Sequence, residues 1–222
     1  MRGQELFEMH CNELQSDPQK LFVFGLKKNS ILNSLRFFHF CHNFSLDIMH
    51  DILEGVAQYE LKLLLEYLSE NVLSKPDLLS RIYAFDYGYV ERKNRPTRIN
   101  LDSSGNNIGL NSIQTLCLVR NIPLLFGDLV PEGNQNWFLL LLLLQIINII
   151  FSPSVTLGIT VLLKNLIMEH HELFKELYPD RNLIPKHHFT IHYPSCIRKI
   201  GPLIHMWSMR FEAKHRIFKN TL

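Results

Sequence analysis

The sequence predicts a mainly α protein, and three observations carry that expectation. Apolar residues recur at helical spacing from Asp47 to about Leu73, through Val56, Tyr59, Leu63 and Leu64. The breaks between periodic stretches are helix stop and start signals: Ser16-Asp17-Pro18, Ser74-Lys75-Pro76-Asp77 and Tyr178-Pro179-Asp180. The most hydrophobic run, Trp137 to Phe151, has the length of a helix. With 222 residues, 46% hydrophobic and 20% charged, the chain has ordinary globular composition and is long enough for one core or two small ones.

Taken in order, Gln4 to about Leu14 reads as a first helix, stopped at Ser16-Asp17-Pro18. Leu21 to Leu26, punctuated by Gly25, reads as a short strand or buried loop, and Arg36-Phe37-Phe38-His39-Phe40 as extended chain. Ser45 is placed to cap the helix that starts near Asp47. That helix is apolar on more than one side, so it is expected at the centre of the packing. Pro76 sits in the first turn of the next helix, with Leu78, Leu79 and Ile82 behind it. Tyr83 to Asn100 carries aromatic and basic residues without periodicity, and Asp102 to Asn107 is a turn-rich loop; neither is assigned chemistry. Asn111 to Phe126 reads as a helix kinked or split at Pro123, and Thr156 to Leu177 as another helix.

No charge occurs between Glu132 and Lys164, so a membrane span has to be weighed. Fifteen helical residues reach roughly 22 Å against a hydrocarbon core of roughly 30 Å. Lengthening the run would bring in Ser152-Pro153-Ser154, and Gln145 and Asn148 already interrupt it. A buried core helix and no membrane partner is the expectation.

The four cysteines are widely spaced and form no CxxC, and Met1-Arg2-Gly3-Gln4-Glu5 leads into no apolar signal region, which points to a reducing intracellular compartment. The net charge of +2 hides an asymmetry: from Arg181 to Leu222 eight Lys/Arg face a single acid, Glu212, leaving the rest of the chain acidic. The basic end is where a polyanion would bind.

Two segments have metal-ligand character. On a helix, Asp47, His50 and Asp51 share one face, and Pro185-Lys186-His187-His188-Phe189-Thr190-Ile191-His192 offers His188 and His192 at i, i+4, or His187 and His192 if the backbone is irregular. Acidic residues at a helix start are also favoured by the macrodipole, and a histidine there can simply bond locally. The metal reading is a structural Zn²⁺ held by Asp47, His50, His188 and His192, pinning two distant segments together. Glu212 reads either as the partner of Arg210 or Arg216 on a surface helix, or as a metal-binding carboxylate beside DNA-contacting bases. One carboxylate alone cannot support two-metal phosphoryl transfer, which needs several converging on ions roughly 4 Å apart.

The order Phe44-Ser45-Leu46-Asp47-Ile48-Met49-His50-Asp51-Ile52-Leu53-Glu54-Gly55-Val56, Asn136-Trp137-Phe138-Leu139-Leu140, Pro185 to Pro194, Gly201-Pro202-Leu203 and Met209-Arg210-Phe211-Glu212-Ala213-Lys214-His215 resembles the transposases of CACTA (En/Spm-type) DNA transposons and the animal genes derived from them. The resemblance covers nearly the whole chain but only the C-terminal half of such a protein. It implies an RNase H-like core with an Asp-Asp-Glu triad, a Cys/Asp-x-x-His motif after the second Asp, and a long helical insertion before the Glu. By position, Asp47 and His50 match the motif, His188 and His192 the histidines before the last catalytic helix, and Glu212 the triad glutamate.

The resemblance then implies residues 1–46 as an N-terminal remnant or linker, 47–184 as the insertion, and 185–222 as a basic segment with a truncated last helix of the core. It puts the first two catalytic aspartates upstream of Met1, and Asp17, Asp86, Asp102 and Asp128 do not replace them. The expectation is a nuclear, transposase-derived fragment without strand transfer. Residual, salt-sensitive DNA binding would run through Arg198, Lys199, Arg210, Lys214, Arg216 and Lys219. Mg²⁺ or Mn²⁺ would matter only beside the missing aspartates, as in the C-terminal half of an active transposase. The alternative is a helical module that pairs with another copy of itself or of a related transposase.

Overall fold

The computed structural model describes the backbone of residues 3–219 and the side chains of 3–214. Two compact units divide the chain, Met1–Ser45 and Leu46–Leu222. Among the described residues there are helices and turns and no strand, as a mainly α reading requires.

In the first unit, α1 (Gln4–Ser16) is followed by a short 3₁₀ turn at Pro18–Lys20, capped by the Asp17 carboxylate on the Gln19 N–H. Phe7 and Cys11 of α1 pack with Cys41 and Leu26 into a small core. The apolar run after Lys20 is not a strand or a buried loop. It is one more helical turn, α2 (Leu21–Phe24), closed by Gly25 in the left-handed region (φ 61°), with Phe22 and Val23 exposed. Arg36 to Phe40 forms turns rather than extended chain, because Asn33 and Asn43 side chains accept the backbone N–H groups of Phe40 and His39.

The second unit starts with the helix expected near Asp47, but its first two turns are wound differently. Met49–Val56 is a π-helix, continued by α3 (Ala57–Asn71). Asp47 caps its start: Asp47 Oδ1 accepts the Met49 N–H at 3.1 Å. Around this central element stand α4 (Lys75–Ala84), the short α5 (Gly88–Glu91), α6 (Ser112–Phe126), α7 (Gln135–Ile150), α8 (Ile159–Leu177), α9 (Pro185–Thr190), α10 (Tyr193–Ile200) and α11 (Met209–Lys219). Start signals hold where they were read: Ser74 caps α4, and Asn111 forms a capping box with Gln114 at α6. Pro123 does not split α6. It falls in the last turn, where little helix remains to be disrupted.

The apolar run of α7 packs on α8 and α3 and buries Leu139, Leu140, Leu142, Leu143, Ile146, Ile147 and Ile150. Gln145 and Asn148, three apart on one face, are its solvent side, which accounts for polar residues in that run. No helix among the described residues is long and apolar enough to cross a membrane. Tyr59 and Leu63 of α3, Leu139 of α7 and Phe174 of α8 form a core cluster, where each fully buried large side chain contributes about 1.5–3 kcal/mol. Segments from the basic end belong to this unit: α9 packs on the π-helix, and α10 on α8.

Candidate functional site

Winding the chain as a π-helix, with hydrogen bonds to i+5 instead of i+4, changes which carbonyls are paired and which side chains align. Lys186, from α9, lies across it and donates from Nζ to the His50 carbonyl at 2.6 Å and the Glu54 carbonyl at 3.0 Å. Gly55 makes room for that crossing, since a Cβ there would stand 2.1 Å from Lys186 Cδ.

At the start of the same element, Asp47 and His50 form a close side-chain pair, 2.5 Å between Oδ2 and Nδ1. Asp51 does not join them on a shared ligand face. It is buried, and the Tyr193 hydroxyl donates to its Oδ2 at 3.3 Å. Burial, opposed by Tyr193, pushes the Asp51 carboxyl up to about 6.

The loop before α11 completes the arrangement. Ser208 N–H donates to Asp47 Oδ1 at 3.1 Å, and Ser208 Oγ lies 3.2 Å from His50 Nδ1. On the other side of the ring, His50 Nε2 is 3.7 Å from Glu54 Oε2 and 3.6 Å from Glu212 Oε1. Glu54 is held in turn by the Ser112 hydroxyl at 2.5 Å, at the start of α6. Three carboxylates therefore surround one imidazole. The hydrogen bond to Asp47 raises the His50 pKa against a partial burial penalty, and the charges of Asp47, Glu54 and Glu212 add to the rise. Burial works to raise Asp47, but Ser208, His50 and the Met49 N–H outweigh it and hold the carboxyl below its ordinary range.

Glu54 and Glu212 face a cleft of about 330 Å³ that Lys93, Asn94, Ser112 and Met209 also line. Serine, histidine and aspartate in contact do not make a hydrolase triad here. Ser208 and Asp47 share the same ring nitrogen, whereas a triad puts the nucleophile on one nitrogen and the carboxylate on the other. What the arrangement offers is an imidazole with carboxylates at both ring nitrogens, Asp47 at Nδ1 and Glu54 and Glu212 at Nε2, the latter two at the cleft wall.

The sequence-derived site residues separate into groups. Asp47, His50 and Glu212 come together; among the described residues Glu212 meets His50 rather than Arg210, and the expected pairing with Arg216 lies outside the described side chains. His188 and His192 contact each other, 3.4 Å between their Nε2 atoms. Among the described residues no group of three or more His, Cys, Asp or Glu is arranged to hold a metal ion. His187 is not the partner of His192: it is fully buried and directed elsewhere. Arg198 donates to Thr160 Oγ1 at 3.4 Å; Lys199, Arg210 and Lys214 are exposed. The side chains of Arg216 and Lys219 lie outside the described residues.

Sequence reading missed a second polar centre. Glu60, on the buried side of α3, accepts from His170 Nε2 and His187 Nε2, each at 2.9 Å. All three are almost wholly buried, and His187 Nδ1 accepts the Ile184 N–H at 3.2 Å. Burial alone would raise Glu60; the charge and hydrogen bonds of His170 and His187 hold it ionised down to about 2. The available signal was a carboxylate inside an apolar helix together with two histidine doublets, His170-His171 and His187-His188. Glu54, Ser112, Lys186 and Ser208 carried no local signal.

Compared with known proteins, the chain matches no family model, no curated protein and no solved structure.

Proposed function

We propose that this chain is a transposase-derived protein of the CACTA type that binds nucleic acid and does not carry out strand transfer. In that reading Leu46–Leu222 corresponds to the helical insertion of an RNase H-like transposase with the last helix of its core. The observation that supports it is the convergence of His50 and Glu212, the motif histidine and the triad glutamate in the resemblance, from opposite ends of the unit. Inactivity follows from the state of the carboxylates. Asp47 is occupied by two backbone N–H groups and by His50, and Glu54 and Glu212 lie against His50 Nε2, so among the described residues no converging set of carboxylates is left for two-metal chemistry.

The test is a cleavage and strand-transfer assay with purified chain, labelled duplex DNA and Mg²⁺ or Mn²⁺, alongside binding measured across a salt series. Binding that weakens steeply with salt, without cleavage, is the expected result. Metal-dependent cutting abolished by Glu212→Ala overturns the inactive reading, and absence of any nucleic-acid binding overturns the proposal. A structural zinc across Asp47, His50, His188 and His192 requires one equivalent of zinc in the purified chain, lost in the His188→Ala and His192→Ala variants.

A second reading, association with another copy of the chain, is favoured by the exposed Leu157, Val161, Leu162 and Met168 at and within α8. Concentration-dependent sedimentation that is insensitive to salt supports it; a monomer at all concentrations removes it.

A further inference from the structure

The segment around α5, to which the sequence pattern assigned no chemistry, carries a concentrated group of cations without ion-pair partners among the described residues. From Gly88 to Arg98 there are four cations, Arg92, Lys93, Arg95 and Arg98, against one acid, Glu91. All four cations are exposed, and among the described residues none makes an ion pair. The two nearby acids are used locally: Glu91 Oε2 accepts from Asn94 Nδ2 at 3.0 Å, and Asp86 Oδ1 accepts the Gly88 N–H at 2.9 Å. Four cations against these two carboxylates, of which Asp86 lines the neighbouring concavity, leave the segment net positive.

Tyr89 stands among these cations with its side chain almost entirely in water, 95% exposed, while Tyr87 beside it is buried and donates to the Ile82 carbonyl. The segment is held as a surface. Gly88 makes the turn into α5 at φ 71°, Pro96 is buried, Gln114 Nε2 donates to the Arg95 carbonyl and Thr97 Oγ1, and Tyr83 OH accepts the Ile99 N–H.

Concavities run along it. One of about 660 Å³ is lined by Tyr89, Val90, Arg92, Lys93 and Arg95, and a second of about 390 Å³ shares Tyr89, Arg92 and Arg95 with it. At the other end Lys93 also lines the cleft that holds Glu54 and Glu212. Lys93 is therefore a wall shared by the basic groove and the cleft that holds Glu54 and Glu212.

We propose that this groove binds a single-stranded stretch of nucleic acid, phosphates on Arg92, Lys93 and Arg95 and an unpaired base stacked on Tyr89. Cations spaced along a groove with an exposed aromatic ring are the elements of sequence-tolerant single-strand binding. A stacked duplex offers no free base face to such a ring, so the unpaired strand is the better fit. Glu54 and Glu212 repel phosphate, so the strand lies on the Tyr89 side of Lys93 and its end points toward the cleft. The inference rests on the nucleic-acid-binding reading above and places the contact on this groove rather than on the basic C-terminal segment.

The experiment uses the full chain and fluorescence anisotropy with a labelled thymidine 20-mer and a matched duplex over a salt series. Three variants are compared: Arg92→Ala/Arg95→Ala, Tyr89→Ala, and Arg198→Ala/Lys199→Ala/Arg210→Ala/Lys214→Ala, each checked by circular dichroism and melting. The double variant is expected to weaken single-strand binding at least tenfold at moderate salt and to lower the salt slope by about 1.4 for two lost phosphate contacts. Tyr89→Ala is expected to weaken it roughly fivefold or more with the slope unchanged, and to affect duplex binding little. If both groove variants bind like the parent while the C-terminal variant loses binding, the groove is overturned and the DNA-binding proposal survives. If the parent binds neither oligonucleotide, both fall. Equal duplex and single-strand affinity with no effect of Tyr89→Ala overturns the stacking and the single-strand preference.

Discussion

Glu60 Oε1 and His187 Nε2 lie 2.9 Å apart in the interior, brought together from positions 127 residues apart in the chain. His170 holds the other carboxylate oxygen, so one buried charge ties α3 to α8 and α9. Removing one member of a buried charged network leaves the others desolvated without a partner. Glu60→Ala is therefore expected to destabilise the fold by about 3–5 kcal/mol. Urea unfolding measures it; a loss under 1 kcal/mol would show that the network contributes little.

His171, beside this centre, is kept neutral down to about 3 by burial and by the neighbouring His170 and His187. Its pKa is depressed on folding, so its contribution is fully present above about 6.5 and declines as pH falls and the unfolded chain takes up the proton. The parent is expected to lose stability from pH 6.5 to 4.5, with a shallower decline in His171→Gln. Equal slopes for the two proteins would remove His171 from the account.

Asp51 works in the opposite direction. Its carboxyl rises from 3.8 in the unfolded chain to about 6 when buried, opposed by Tyr193 and Lys186. The folded state favours the protonated form, so this contribution is complete below about pH 4 and is lost as pH rises to about 6. The two-unit shift corresponds to about 3 kcal/mol. Asp51→Asn, neutral at every pH, is expected to gain stability over the parent at pH 7.5 and little at pH 4. Melting curves at the two pH values decide it, and a variant less stable at both would refute the argument.

Gly55 gives a prediction against the usual propensity rule. Glycine to alanine inside a helix ordinarily gains roughly 0.5–1 kcal/mol, but here the new Cβ meets Lys186 Cδ at 2.1 Å. Gly55→Ala is expected to cost about 1–3 kcal/mol by displacing Lys186 from the His50 and Glu54 carbonyls. In the Lys186→Ala background the same change is expected to become neutral or stabilising. A double-mutant cycle measures the coupling, and additive effects would contradict it.

His50 and Glu212 are themselves poor handles on stability. Glu212 keeps more than half of its side chain in water, and its 3.6 Å approach to His50 is screened. Glu212→Gln is expected to leave the melting temperature nearly unchanged while lowering the His50 pKa, which histidine NMR titration reads; an unshifted titration would remove the contact.

Read as a one-dimensional pattern, the chain already determined its longer helices, though not the single turns α2 and α5. Period and stop signals located α1, α3, α4, α7 and α8, because each depends on neighbours within a turn or two. The exposure of Gln145 and Asn148 in an apolar helix follows from the same local rule. It also marked Asp47, His50 and Glu212, residues whose types announce chemistry wherever they fall. Only the tertiary structure decided which of them meet. The π winding of Met49–Val56 is stabilised by Lys186 from α9, and no propensity within those eight residues encodes a cation arriving from elsewhere. That same long-range packing turned Asp51 toward Tyr193, His187 toward Glu60, and Ser208 and Glu212 toward His50. Side-chain partners across the fold are set by how whole helices dock, a sum of many apolar contacts that no local spacing contains.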